Sequence, residues 1–173
     1  AMAFYGIVYA LLEDDMRRLL AYAIVNQGGF MLAGVGLGTE MALNGVAAQA
    51  VTGILYMALL LMTAGAVLAA TGRRRCSELG GLFRAMPLTT GCAVVGALSI
   101  SSFPLTSGFV SKSMIAQAAA DGHLQTVWLL LVAASAGVFL SAGLKFLWFV
   151  FFGKDCGLRP PEASVSMRAA MVS

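Results

Sequence analysis

The sequence predicts an all-α fold, a polytopic transmembrane helical bundle with one discontinuous helix. Three observations predict it. Hydrophobic residues make up 60% of the chain and charged residues only 11%, against about 25% charged in soluble domains. Long apolar segments at residues 19–37, 45–70, 88–103 and 124–152 are separated by short polar connections. The 26 residues of 45–70 carry no formal charge, enough at ~1.5 Å per helical residue to cross ~30 Å of hydrocarbon. Finally, FPLTSGFVSKSMI at 103–115 contains a helix break. Pro104 lacks an N–H and disfavours helical geometry at Phe103, and Ser107 and Gly108 follow, so the chain unwinds there.

Taken in order, residues 1–12 are apolar but too short to span, and no basic stretch precedes them, so they read as the end of a helix and not as a signal peptide. The charged knot Glu13, Asp14, Asp15, Arg17 and Arg18 follows. Residues 19–37 form a complete span in which Gly34 and Gly38 have the GxxxG spacing that lets another helix approach closely. The segments 45–70 and 88–103 are read as the next two spans. Beyond Pro104 a helix restarts near Thr106 and stops at Asp121 and Gly122. At ~22 Å this piece falls short of a crossing, and we read it as a broken helix that crosses together with its unwound start. That reading puts the tail with Lys154, Arg159 and Arg168 outside, against the charge rule; a segment that enters and returns would leave it in the cytoplasm. Residues 124–152, a 29-residue apolar run carrying Lys145, tilt to fit the bilayer. Residues 1–153 thus form one transmembrane domain, and 154–173 a polar linker whose MRAAMVS can begin a further helix.

Charge sets the orientation. Basic residues number two in the 13–18 loop, none at 39–44 and four at 71–87, so the first and third connections face the cytoplasm and the second the outside. A net charge of +3 follows from such anchors and implies no nucleic acid. Cys76, Cys92 and Cys156 form no CxxC and read as free, reduced thiols. His123, beside Asp121 and Gly122, reads as a solvated loop histidine, so no metal site is expected. With no nucleophile–base set and no phosphate-binding glycine loop, autonomous enzyme activity and a cofactor are not expected either.

In 45–67 the residues Gln49, Gly53 and Met57 recur every fourth position and so share one helical face. The stretches DDMRRLLAYAIVNQGGFM (14–31), TAGAVLAATGRRRCSELGGLFRAMPLTT (63–90) and LSISSFPLTSGFVSKSMI (98–115) resemble the antiporter-like subunits shared by Mrp-type cation/proton antiporters, their D-type member above all, and respiratory complex I. The order of DxxRxxAY, LGGL, MP and FPLTSGFVSK makes the resemblance specific. It implies a proton or cation path along the membrane midplane, lined by lysines, histidines and glutamates on broken helices. It also implies other membrane subunits as partners, protons and monovalent cations as substrates, and a prokaryotic inner (cell) membrane as location.

The resemblance makes Lys112 the ionisable residue of the unwound helix and sets Arg17 at the place of a lysine. Family members usually read HAFAHILYKALLF where this chain reads QAVTGILYMALLL. Gln49 and Gly53 thus stand for two histidines, and Met57 for a lysine. The members also carry an upstream broken helix with a lysine and a paired glutamate, to which nothing here corresponds, so the chain reads as part of a longer fold. Proton relay needs groups whose pKa can approach ambient pH, which glutamine, glycine and methionine do not supply, while arginine stays protonated. Water held near Gln49, Thr52 and Tyr56 would be the remaining route through this helix.

Ion-path candidates are therefore Lys112, Arg17, Lys145, Gln49 and Tyr56, and each has a plainer competitor. Lys112 and Lys145 can snorkel to the interface. Arg17 and Arg18 can anchor there, paired with Asp14 or Asp15. The Gln49, Gly53 and Met57 stripe can serve helix packing alone. Phe146, Trp148, Phe149, Phe151 and Phe152 read as an interfacial aromatic cluster. Two functions follow: a segment of an ion-translocating subunit with Lys112 as its switchable group, or a non-conducting structural relative that packs in a membrane assembly.

Overall fold

A computed structural model describes residues 1–172 as a helical bundle, and no strand occurs among them. The elements are α1 (Met2–Leu12), α2 (Met16–Leu37), α3 (Glu40–Thr71), α4 (Pro87–Ile100), α5 (Ser107–Asp121), α6 (Gln125–Phe152) and α7 (Val165–Val172). Local chemistry sets their limits. Asp15 caps α2 by accepting the Arg17 N–H at 3.0 Å, and Thr39 caps α3 by accepting the Ala42 N–H at 3.2 Å. Both helices end on a left-handed glycine, Gly38 (φ 66°) and Gly72 (φ 68°). Pro87 opens α4, where its missing N–H is not needed. The second half of α6 is wound wider, with π turns at Phe139–Lys145 and Trp148–Phe152.

Three helices, α2, α3 and α6, are long and apolar enough to cross a membrane. At 14 and 15 residues, α4 and α5 reach only ~21 and ~22 Å. Their neighbours along α3 show how they are arranged. Gly96 of α4 packs on Leu60, Gly108 lies near Tyr56, Ser111 bonds Gln49, and Ile115 packs on Gly45. Each successive contact lies further toward the start of α3. Helices α4 and α5 are therefore two halves of one discontinuous crossing, which corrects the expectation of a complete span at 88–103 followed by a separate one at 106–120.

The same geometry places the tail. Asp14 accepts the Ser77 N–H and hydroxyl, the Met16 N–H reaches the Arg74 carbonyl, and Asp15 bridges Arg75, so the connections at 13–15 and 72–86 meet at one end of the bundle. Phe83 donates to the Phe151 carbonyl and the Cys156 thiol to the Gly80 carbonyl, so α6 returns to that end. Lys154 and Arg159 follow α6 there, beside the arginine-rich connection and not on the opposite face. A single crossing by α4 and α5 thus satisfies the charge rule without an exception.

Two smaller expectations change as well. The aromatic group at the end of α6 divides: Phe146 and Phe151 are fully buried and packed edge to face at 6.2 Å, whereas Trp148, Phe149 and Phe152 face outward. The GxxxG pair does not act as a pair. Gly34 adjoins Val46 and Ile115, while Gly38 has no neighbour on its open side and serves as the α2 cap.

Candidate functional site in a buried polar belt

Four residues separate Ile100 from Pro104, the spacing of a helical N–H to C=O bond. Because α4 ends at Ile100 and Pro104 has no N–H to give, the Ile100 carbonyl has no helical partner at the depth where α4 stops. Ser102 (φ 57°) and Leu105 (φ 74°) turn the chain, and α5 begins with Gly108 pressed against the Ser99 carbonyl, where any Cβ would collide. Lys112 follows Gly108 by four residues and so shares its face. Its Nζ donates to the Ile100 carbonyl at 2.6 Å and stands 5.7 Å from the Phe30 ring centroid of α2. The ammonium thereby meets the negative end of the α4 dipole. Only 4% exposed, Lys112 is held inside the bundle.

Beside it, Ser111 turns toward α3 and donates its hydroxyl to Gln49 Oε1. Gln49 Nε2 donates in turn to Gln27 Oε1 at 2.7 Å and to the Tyr56 hydroxyl at 2.5 Å. Gln27 lies halfway along α2, so one network joins α2, α3 and α5 at mid-depth. A buried amide with this many partners is satisfied where a lone one would be costly. Gln49 is therefore the hub of a polar belt, in which Gly53 and Met57 of the same stripe make no hydrogen bond. Thr52 takes no part, since its hydroxyl bonds the Ala48 carbonyl of its own helix.

Two cavities adjoin the belt. One of about 400 Å³ is lined by Lys112, Phe30, Ser102, Ser113, Ser135 and Phe139, among others, and the Ser102 hydroxyl is buried without a partner. The other, of about 170 Å³, lies between α2 and α3 over Gly53. The eight acids stand at positions 13, 14, 15, 40, 78, 121, 155 and 162, all in connections or at helix ends. Among the described residues no carboxylate pairs with Lys112, whose contacts are the carbonyl and the ring.

The remaining candidates lie elsewhere. Arg17 is exposed at the loop end of the bundle. Asp15 accepts its backbone N–H, and among the described residues neither Arg17 nor Arg18 forms an ion pair with Asp14 or Asp15. Lys145 donates to the Leu11 carbonyl at 2.8 Å and the Glu13 carbonyl at 2.5 Å, so it closes the end of α1. Sequence reasoning missed Gln27 and Ser111. The signal for Gln27 was a lone amide inside an apolar run, and for Ser111 its adjacency to Lys112.

Residues 1–140 match the family described as NADH:quinone oxidoreductase/Mrp antiporter, transmembrane. The chain is 33% identical over 174 residues to the A/B component of a probable K(+)/H(+) antiporter of Rhizobium meliloti, covering 96% of this chain and 17% of that protein. It is 34% identical over 151 residues to NADH-quinone oxidoreductase subunit L of Escherichia coli, covering 84% and 24%. A chain in the solved Mrp complex from Dietzia sp. superposes with a TM-score of 0.85 at 29% identity, covering 89% of this chain and 29% of that one. The chain spans 17% to 31% of the length of the curated relatives it matches. With its apolar crossings and this match over most of its length, the chain is an integral membrane protein that belongs to the NADH:quinone oxidoreductase/Mrp antiporter transmembrane family.

Proposed function

We propose that the chain is a segment of a proton- or cation-translocating antiporter-like subunit, in which Lys112 is the group that takes up and releases a proton. The observation that carries the reading is the seat of Lys112: a buried amine, on the free carbonyl at the end of α4, facing a cavity and one residue from a polar belt that crosses three helices. Such intramembrane ionisable residues mark ion pathways. Arg17 and Lys145 serve as scaffold at the loop end, and Gln49 and Tyr56 order the belt. The K(+)/H(+) antiporter and quinone oxidoreductase relatives support other membrane subunits as partners and a prokaryotic cell membrane as location. Electron chemistry in such an assembly belongs to other subunits.

The test is proton flux in vesicles containing the whole assembly. Lys112→Met abolishes flux while the complex still assembles, and Lys112→Arg does the same because a guanidinium does not release its proton. Normal flux in either variant overturns the reading. The neutral character of Gln49, Gly53 and Met57 favours a second reading, a non-conducting structural subunit; under it Lys112→Met impairs assembly and leaves the flux per assembled complex unchanged.

A further inference from the structure

The cavity of about 170 Å³ between α2 and α3 is lined by Gln27, Gln49, Gly53 and Met57 together with Ile24 and Met31. Its polar edge holds a donor without a partner. Gln27 is 4% exposed, and its Nε2 is buried with no partner, while its Oε1 already accepts from Gln49. Both amide protons of Gln49 are engaged, with Nε2 donating to Gln27 and to Tyr56, while Oε1 accepts from Ser111 and keeps a second lone pair. Tyr56 accepts from Gln49 and keeps its own hydroxyl proton to give. A Cβ at Gly53 would stand 3.6 Å from the Tyr56 hydroxyl and 4.0 Å from Gln49 Nε2, so the space above this glycine adjoins the belt directly. The unpaired protons are on N–H and O–H donors and the amide oxygens keep spare lone pairs, so what the edge calls for is a small group that both accepts and donates.

We propose that this cavity is a water site, in which ordered waters accept from Gln27 Nε2 and the Tyr56 hydroxyl and fill the space that Gly53 leaves open. Apolar cavities of this size stay dry, whereas buried waters settle where polar groups lack partners, and at about 30 Å³ of liquid volume each several fit. A metal cation does not suit the site, because its polar edge presents N–H and O–H donors and its lining holds no carboxylate. The waters lengthen the belt by one step, from Ser111 through Gln49 and Gln27 to the gap between α2 and α3. The inference stands whether or not Lys112 moves a proton.

Radiolytic hydroxyl-radical footprinting of the chain in its assembly, in lipid nanodiscs, tests it, since radicals formed from bound water mark the side chains beside it. Met57 lines the cavity at 8% exposure, and the fully buried Met16 is an internal control in the same chain. The expected result is severalfold faster oxidation of Met57 than of Met16. Gly53→Leu, whose Cβ has room, fills the cavity, and Gln27→Leu removes the donor; each lowers the Met57 rate to that of Met16. If Met57 in the unaltered protein is oxidised no faster than Met16, or if its rate is unchanged in the folded variants, the site is dry and the proposal fails. The unaltered protein alone decides the first point, so the test does not depend on a variant folding.

Discussion

Replacing Gln49 with leucine removes the hub of the belt while nearly preserving side-chain volume. Gln49 is fully buried and makes three side-chain hydrogen bonds, to Gln27, Tyr56 and Ser111. In membranes such bonds average about 0.6 kcal/mol and reach about 1.7, because the unfolded chain also finds partners in the bilayer. Three of them give about 2 kcal/mol. The loss is not evenly shared. Ser111 retains approaches to the Ser107 and Gly108 carbonyls at 3.3 Å, so the deficit falls on Gln27 Oε1 and Tyr56, and the expected destabilisation is about 1–2 kcal/mol. Unfolding in mixed micelles by added SDS, followed by helicity, reads this directly. A double-mutant cycle with Tyr56→Phe isolates one arm of the hub and should give a coupling of about 0.5 kcal/mol or more. Gln49→Leu as stable as the parent, with additive effects in the cycle, would mean that the belt is coincidental proximity.

Two further predictions concern the loop end of the bundle. Lys145→Met should loosen the end of α1, by about 1 kcal/mol or more, since the ammonium bonds the Leu11 and Glu13 carbonyls; faster hydrogen exchange at the amides of Leu11 to Asp15 is the readout, and unchanged exchange would return Lys145 to the ion-path candidates. Burial, reinforced by the Asp14 carboxylate, pushes the Cys76 thiol up to about 12. The unfolded thiol titrates at ~8.5, so the folded state holds its proton where the unfolded one loses it; the contribution is intact below ~8.5 and falls as pH rises toward 12. Stability of the parent should therefore drop through this alkaline range more steeply than that of Cys76→Ala, and parallel pH profiles would contradict the assignment.

The long crossings were legible because length and lack of charge are local properties: residues 19–37, 45–70 and 124–152 fall inside α2, α3 and α6 apart from the one residue, Leu124, that precedes α6. So was the break at Pro104, whose cause is covalent. Depth was not legible. Nothing in the run 88–103 says that α4 stops at mid-bundle, because what fixes its depth is the sequence of neighbours it meets along α3. Partners were equally hidden: Gln49 was placed on a face by its spacing, but Gln27 lies 22 positions away and Ser111 62, and an amide in an apolar run looks the same whether it faces a partner or lipid.

The position of Lys112 follows from the free carbonyl at the end of α4. A helix continuing through residue 104 would give the Ile100 carbonyl an N–H from that residue, and Pro104 withholds it. The orphaned acceptor lies at the depth where α4 ends, and Lys112 is the group that reaches it, at 2.6 Å. If the carbonyl and the amine are matched in this way, restoring the N–H should uncouple them. Alone, Lys112→Met leaves the buried Ile100 carbonyl unbonded and is expected to destabilise the chain by about 1–3 kcal/mol. In a Pro104→Ala background the new amide competes for that carbonyl, so the same Lys112→Met change should be milder, with a coupling of about 0.5 kcal/mol or more between the two sites in SDS-induced unfolding. Additivity within about 0.3 kcal/mol would show that Lys112 is held by the Phe30 ring and by packing, and that the proline shapes the chain without supplying the acceptor.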